Sequence, residues 1–142
     1  MTAVLLSDLD VIPRNGRFVI LEHQVPPGGT WTDHWDVMLE SPAGLLTWAS
    51  PPFSDHCTSW EVKPLPIHRT IYLDYEGAIS GNRGCVRRVD RGQFAVQDRQ
   101  TGAVVVHLLG ERLHGQLRLD RRSDGGVDLG WLDAGPSTRD DG

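Results

Sequence analysis

His34-Trp35-Asp36-Val37-Met38-Leu39-Glu40 alternates with a period of two, which places His34, Asp36, Met38 and Glu40 together on one face of a β-strand. An imidazole and a carboxylate two residues apart on a strand face project in parallel and can grip one metal ion. Working outward, short apolar runs of strand length fall near residues 17–22, 44–49, 69–76, 83–90, 92–98, 103–109, 114–120 and 127–132. Sixteen glycines and nine prolines cut the chain into these pieces, and no segment keeps a long 3.6-residue apolar period. Residues 40–44, 99–102 and 110–115 read as hairpin turns. Residues 24–33 and 51–66 read as long connections, which in small domains often carry function. The expectation is an all-β chain: a small, closed or nearly closed antiparallel β-barrel with long loops and little helix.

With 142 residues, one core suffices, and residues 1–132 read as a single barrel domain followed by a small, polar, disordered tail at 133–142. The first residues lack the basic and apolar regions of a signal peptide, and no run approaches the apolar length of a membrane helix, so a cytoplasmic protein without membrane attachment is expected. Cys57 and Cys85 are far apart and lack CxxC spacing, which argues against a zinc ribbon or a disulfide scaffold. The formal net charge of −5 excludes a protein that coats nucleic acid indiscriminately. Charge is nevertheless uneven. Arg83, Arg87, Arg88 and Arg91 lie close together, with Arg112, Arg118, Arg121 and Arg122 later, and these form either solvated strand faces and turns or a basic rim that holds a nucleic-acid end.

Two further histidines sit where they can complete a site with His34 and Asp36. His23 closes the run Arg17-Phe18-Val19-Ile20-Leu21-Glu22, and His68 precedes Thr70-Ile71-Tyr72-Leu73, where it shares a strand face with Tyr72. Two neutral imidazoles and one carboxylate suit a divalent metal such as Mn²⁺ or Zn²⁺ and leave coordination positions for water and a phosphate oxygen. Trp35 and Trp48 are assigned to packing, and His56, His107 and His114 to surface or structural roles.

The order of these residues is the informative part. His23, then His34-x-Asp36-x-x-Leu39-Glu40, Leu46-x-Trp48-Ala49, His68-x-x-x-Tyr72-x-x-x-Glu76-Gly77-x-Ile79, Asp90-Arg91-Gly92 and Leu109-Gly110-Glu111-Arg112-Leu113-x-Gly115 follow one another. This series resembles the 3′-phosphoesterase domain of bacterial DNA ligase D over roughly residues 17–121, here as a stand-alone homologue. The resemblance implies that His23, His34 and Asp36 bind the metal, with Mn²⁺ as the ion. It implies that His68 and Tyr72 contact the scissile phosphate, His68 also serving as proton donor to the leaving oxygen. The implied function is metal-dependent trimming of DNA 3′ ends, removing a terminal phosphate or ribonucleotide on a primer-template, with separate ligase, polymerase or end-binding repair proteins as partners. The alternative is a metal-stabilised barrel of little or no activity that binds nucleic-acid ends or a protein partner.

Three positions depart from the family pattern. The arginine two residues after the strand aspartate is Met38, a glutamine two before the first metal-binding histidine is Leu21, and an acidic residue two before the next histidine is Pro66. His23 and His34 are also farther apart than in the family. The metal ligands are retained while the phosphate clamp is rebuilt, with Arg69, Lys63 or an arginine of the 83–91 run as candidates to supply the charge.

Overall fold

A computed structural model of the chain describes residues 6–28, 32–54 and 56–132. The expected tail at 133–142 lies outside them. Nine strands form the fold: β1 (Asn15–Gln24), β2 (His34–Ser41), β3 (Gly44–Ser50), β4 (Ser59–His68), β5 (Gly77–Ala78), β6 (Cys85–Gln100), β7 (Ala103–Gly110), β8 (His114–Arg121) and β9 (Val127–Trp131). Every pairing is antiparallel, in the order β1-β2-β3-β4-β9-β8-β7-β6, and β6 returns to β1. Eight strands thus close a barrel, with β5 as an outer strand on β6. Closure leaves these eight no long open edge. The expected hairpin turns at 40–44, 99–102 and 110–115 are all present.

The alternation read from the sequence sorts side chains between two apolar clusters. Phe18 and Ile20, Val37 and Leu39, Leu46 and Trp48, Val104 and Val106, and Leu117 and Leu119 fill the barrel interior. A short 3-10 helix, Leu9–Val11, puts Leu9 and Ile12 into one end, where the Arg99 guanidinium donates to the carbonyls of both. Phe53 stacks on Trp60 and meets Trp35 edge-on at the other end. Val19, Leu21, Met38, Leu45 and Val86 point the opposite way and form a second cluster outside the wall, covered by Leu73 and edged by Tyr72 and Tyr75.

Two stretches differ from expectation. Residues 59–66, the second half of the stretch read as connection, belong to β4, and residues 69–76, read as a strand, contain a 3-10 turn at Thr70–Leu73. Pro64 and Pro66 cannot donate to a ladder, which disguises the strand. The β3–β4 register shifts between Leu45 and Thr47, and the Ser7 hydroxyl stitches that gap by accepting from Thr47 N (2.6 Å) and donating to Leu65 O (2.7 Å). The run Thr70-Ile71-Tyr72-Leu73 has strand-forming side chains but lies over the outer cluster with Leu73 buried, so packing overrides propensity. The expected strands 83–90 and 92–98 are one continuous β6, pairing with β1 on one side and β7 on the other. Gly92 is there for closeness rather than for a turn, since a Cβ would come within 2.0 Å of Leu109 O.

Candidate metal centre

The end of β1 and the start of β2 pair so that His23 lies directly opposite His34, and Leu21 opposite Asp36. Asp36 shares its side of β2 with Met38 of the outer cluster, so the three candidate ligands stand on the outer wall of the barrel. The two imidazole rings are 4.9 Å apart at 61°. His34 Nε2 is 3.1 Å from Asp36 Oδ1 and His23 Nδ1 is 3.5 Å from Oδ2. One ligand atom from each residue lies within 4.8 Å of the other two.

What the remaining ring nitrogens do decides the chemistry. His23 Nε2 donates to Arg83 O (2.9 Å) and His34 Nδ1 donates to Thr32 O (2.8 Å), because a carbonyl can only accept. In the neutral rings the lone pairs are therefore on His23 Nδ1 and His34 Nε2, both aimed at the carboxylate. Asp36 is 2% exposed, and its Oδ1 has no hydrogen-bond partner despite the nearby ring. A buried carboxylate oxygen facing two lone pairs is an arrangement that a divalent cation resolves, and anchoring the far nitrogen on a backbone carbonyl is how metal-binding histidines are oriented. The donor set fits such an ion.

Electrostatics without the ion point the same way. The Asp36 carboxylate holds His23 above the ordinary imidazole pKa against the opposing effect of burial. Burial lowers the His34 pKa most strongly, yet Asp36 and the Thr32 carbonyl together leave it raised. Burial likewise pushes Asp36 upward, but the two imidazoles hold it below the usual carboxylate range. Without a cation, the buried carboxylate favours protons on both rings.

The three residues open into a cleft of about 640 Å³ that His68, Asn82 and Arg83 also line, between walls from Val25-Pro26-Pro27 and Leu65-Pro66. His68 ends β4 and donates from Nδ1 to Pro66 O (2.7 Å), which directs its chemistry to Nε2. Tyr72 stands on the 3-10 turn, not on a strand face shared with His68; the rings meet edge-on at 6.1 Å, and Tyr72 packs against the outer cluster without lining the cleft.

The departures at 21 and 38 belong together. Leu21 and Met38 are 0% and 1% exposed in the same apolar cluster, so a guanidinium at 38 would have no room on the cleft side. Most arginines flagged in the sequence are spent on carboxylates: Arg87 on Glu22, Arg88 on Glu76, Arg91 on Glu111 and Asp74, Arg118 on Asp120, Arg121 on Asp8 and Asp10, and Arg122 on Asp124 and Asp128. These are mainly solvated faces and turns. Of the residues the resemblance offers in place of the family's arginine, Arg69 and Lys63 do not line the cleft and Arg83 of the 83–91 run does. Sequence reasoning did not find the backbone carbonyls of Thr32 and Arg83, which fix both histidine tautomers; peptide oxygens leave no signature in residue type. Compared with protein-family models and with curated proteins, the chain matches none.

Proposed function

We propose that the chain is a metal-dependent phosphoesterase that trims 3′ ends of DNA, removing a terminal 3′-phosphate or 3′-ribonucleotide during end repair. The observation that carries this reading is the convergence of His23, His34 and Asp36, with tautomers set for metal binding, in one cleft with His68. His23, His34 and Asp36 would hold a divalent ion, Mn²⁺ by the resemblance with Zn²⁺ equally compatible with the donor set, and that ion would supply Lewis acidity toward a phosphoryl oxygen or a water. Asp36 offers the anionic ligand, and the Thr32 and Arg83 carbonyls keep both imidazoles turned toward it. His68, anchored through Nδ1 on the Pro66 carbonyl, leaves Nε2 as the ring atom available for proton exchange with the ester oxygen.

One observation favours a second reading, a non-catalytic barrel that binds nucleic-acid ends or a protein partner: the position of the family's phosphate-holding arginine is buried Met38. Incubation with primer-templates ending in 3′-phosphate or 3′-ribonucleotide, in Mn²⁺, Zn²⁺ or Mg²⁺, separates the two. The phosphoesterase reading expects metal-dependent end trimming that His68→Ala abolishes. Binding of ends without turnover under every metal overturns it in favour of the second.

A further inference from the structure

Residues 79–84, which join β5 to β6, form a tightly built turn. Ile79 N donates to Gly84 O (2.8 Å), and Asn82 takes φ +55°, the one non-glycine residue with positive φ among the described residues. Gly84 has φ +93°, and a Cβ there would come within 1.9 Å of Gln24 O. The turn is thus pressed against the end of β1, which is how Arg83 O reaches His23 Nε2. The side chain of Arg83 is braced as well: Nε donates to Ser80 O (2.7 Å) and Nη2 to Ser80 Oγ (3.2 Å). Both acceptors are neutral. Among the described residues Arg83 makes no ion pair, whereas Arg87, Arg88 and Arg91 each meet a carboxylate. Arg83 thus lines the cleft beside the candidate metal ligands and carries a guanidinium that is braced but not neutralised.

We propose that Arg83 is the anion-holding residue of this cleft, gripping the phosphoryl oxygens of the substrate from the β5–β6 turn instead of from β2. The inference rests on the phosphoesterase reading for the nature of the anion. Its physical basis is separate: a guanidinium presents paired N–H donors to phosphate, and bracing on Ser80 lowers the ordering cost of binding. It also explains how Met38 can be buried without leaving the cleft short of positive charge.

Calorimetric titration of the metal-loaded protein with inorganic phosphate tests this in native, Arg83→Gln and Arg83→Lys forms, with Arg87→Gln as control and metal content measured for each. The carbonyl that orients His23 is main chain, so Arg83→Gln should keep its metal. Its phosphate affinity should fall about 10- to 100-fold, the loss expected for one charge-assisted contact. Arg83→Lys should fall between the two, and Arg87→Gln should match the native protein. Unchanged phosphate affinity in Arg83→Gln overturns the proposal, as does loss of its metal, which would make Arg83 a structural residue. Native protein that takes up metal but no phosphate removes both this proposal and the phosphoesterase reading. Phosphate binding that depends on Arg83 without metal uptake removes the phosphoesterase reading alone.

Discussion

Asp36 sits where two imidazole lone pairs and a buried carboxylate oxygen converge, so single atoms in this cluster have large effects. Asp36→Asn and His34→Ala should each abolish stoichiometric metal uptake by elemental analysis, while a change at His107, outside the cleft, should not. The pH dependence follows in sign from the raised pKa values of His23 and His34 and the lowered value of Asp36. Without metal, the protonated imidazoles stabilise the fold at low pH, and that contribution is lost as pH rises through their raised values. Asp36 contributes above its unfolded value and stops doing so in acid. Metal affinity runs against the histidine protons: it should weaken as pH falls, and the weakening should begin above the ordinary imidazole pKa. Titration with Mn²⁺ at pH values on either side of neutrality measures it, and a flat profile would count against histidine ligation. Met38 belongs to the same scale. Met38→Arg places an unpaired charge in a packed apolar cluster and should destabilise the protein by about 3–5 kcal/mol without increasing end trimming, measured by denaturant unfolding and the primer-template assay.

At the scale of elements, the stretch Asp90-Arg91-Gly92 and the turn after β7 form one structural clamp. The buried Asp90 carboxylate accepts from Arg91 N (2.9 Å), Arg112 N (3.1 Å) and Leu113 N (2.9 Å), and Gly110 leaves room for it, since a Cβ there would come within 2.3 Å of Asp90 Oδ2. Asp90→Ala should cost about 2–4 kcal/mol by orphaning three backbone donors, and Asp90→Asn less, because one acceptor oxygen survives. Chemical denaturation measures both. The same scale shows what the sequence made legible. Strand β2 was readable because polar residues alternate with apolar ones from His34 to Glu40 except at Met38, and the His34–Asp36 pair came with it. His23 was found as the end of an apolar run, although only the register shows that it faces His34 directly. Strand β4 was not readable, since two prolines mimic a loop and the hydroxyl that repairs its ladder comes from Ser7, far away in sequence. Thr70–Leu73 misled for the reverse reason: its residues favour strands, but its place is decided by the cluster beneath it.

Across the whole molecule, the barrel interior and the candidate metal ligands are separate structures that share a wall. The interior is filled from all eight barrel strands and plugged at both ends, while His23, His34 and Asp36 stand outside it on β1 and β2. The cluster gathers what the barrel itself does not hold. Thr32 anchors His34 from the β1–β2 connection, Asp33 accepts from Val25 N across the same connection (2.9 Å), and the β5–β6 turn is fastened to His23 through Arg83 O. Metal bound there should therefore stabilise the loops against the wall and leave the strand content unchanged. Metal at about a hundred times its Kd contributes about 2.7 kcal/mol to the folded state, which in a chain of this size corresponds to a rise in Tm of roughly 5–10 °C. Thermal unfolding with added Mn²⁺ or Zn²⁺ should show that rise, a chelator should reverse it, and the far-ultraviolet spectrum at low temperature should stay the same. Loss of the β spectrum on chelation would mean that the barrel needs its metal to fold, and the separation of core from site would be wrong. The triple set of His23→Ala, His34→Ala and Asp36→Asn makes the comparison sharper: each should remove the metal-dependent rise while retaining a cooperative unfolding transition, because the interior apolar cluster contains none of these residues.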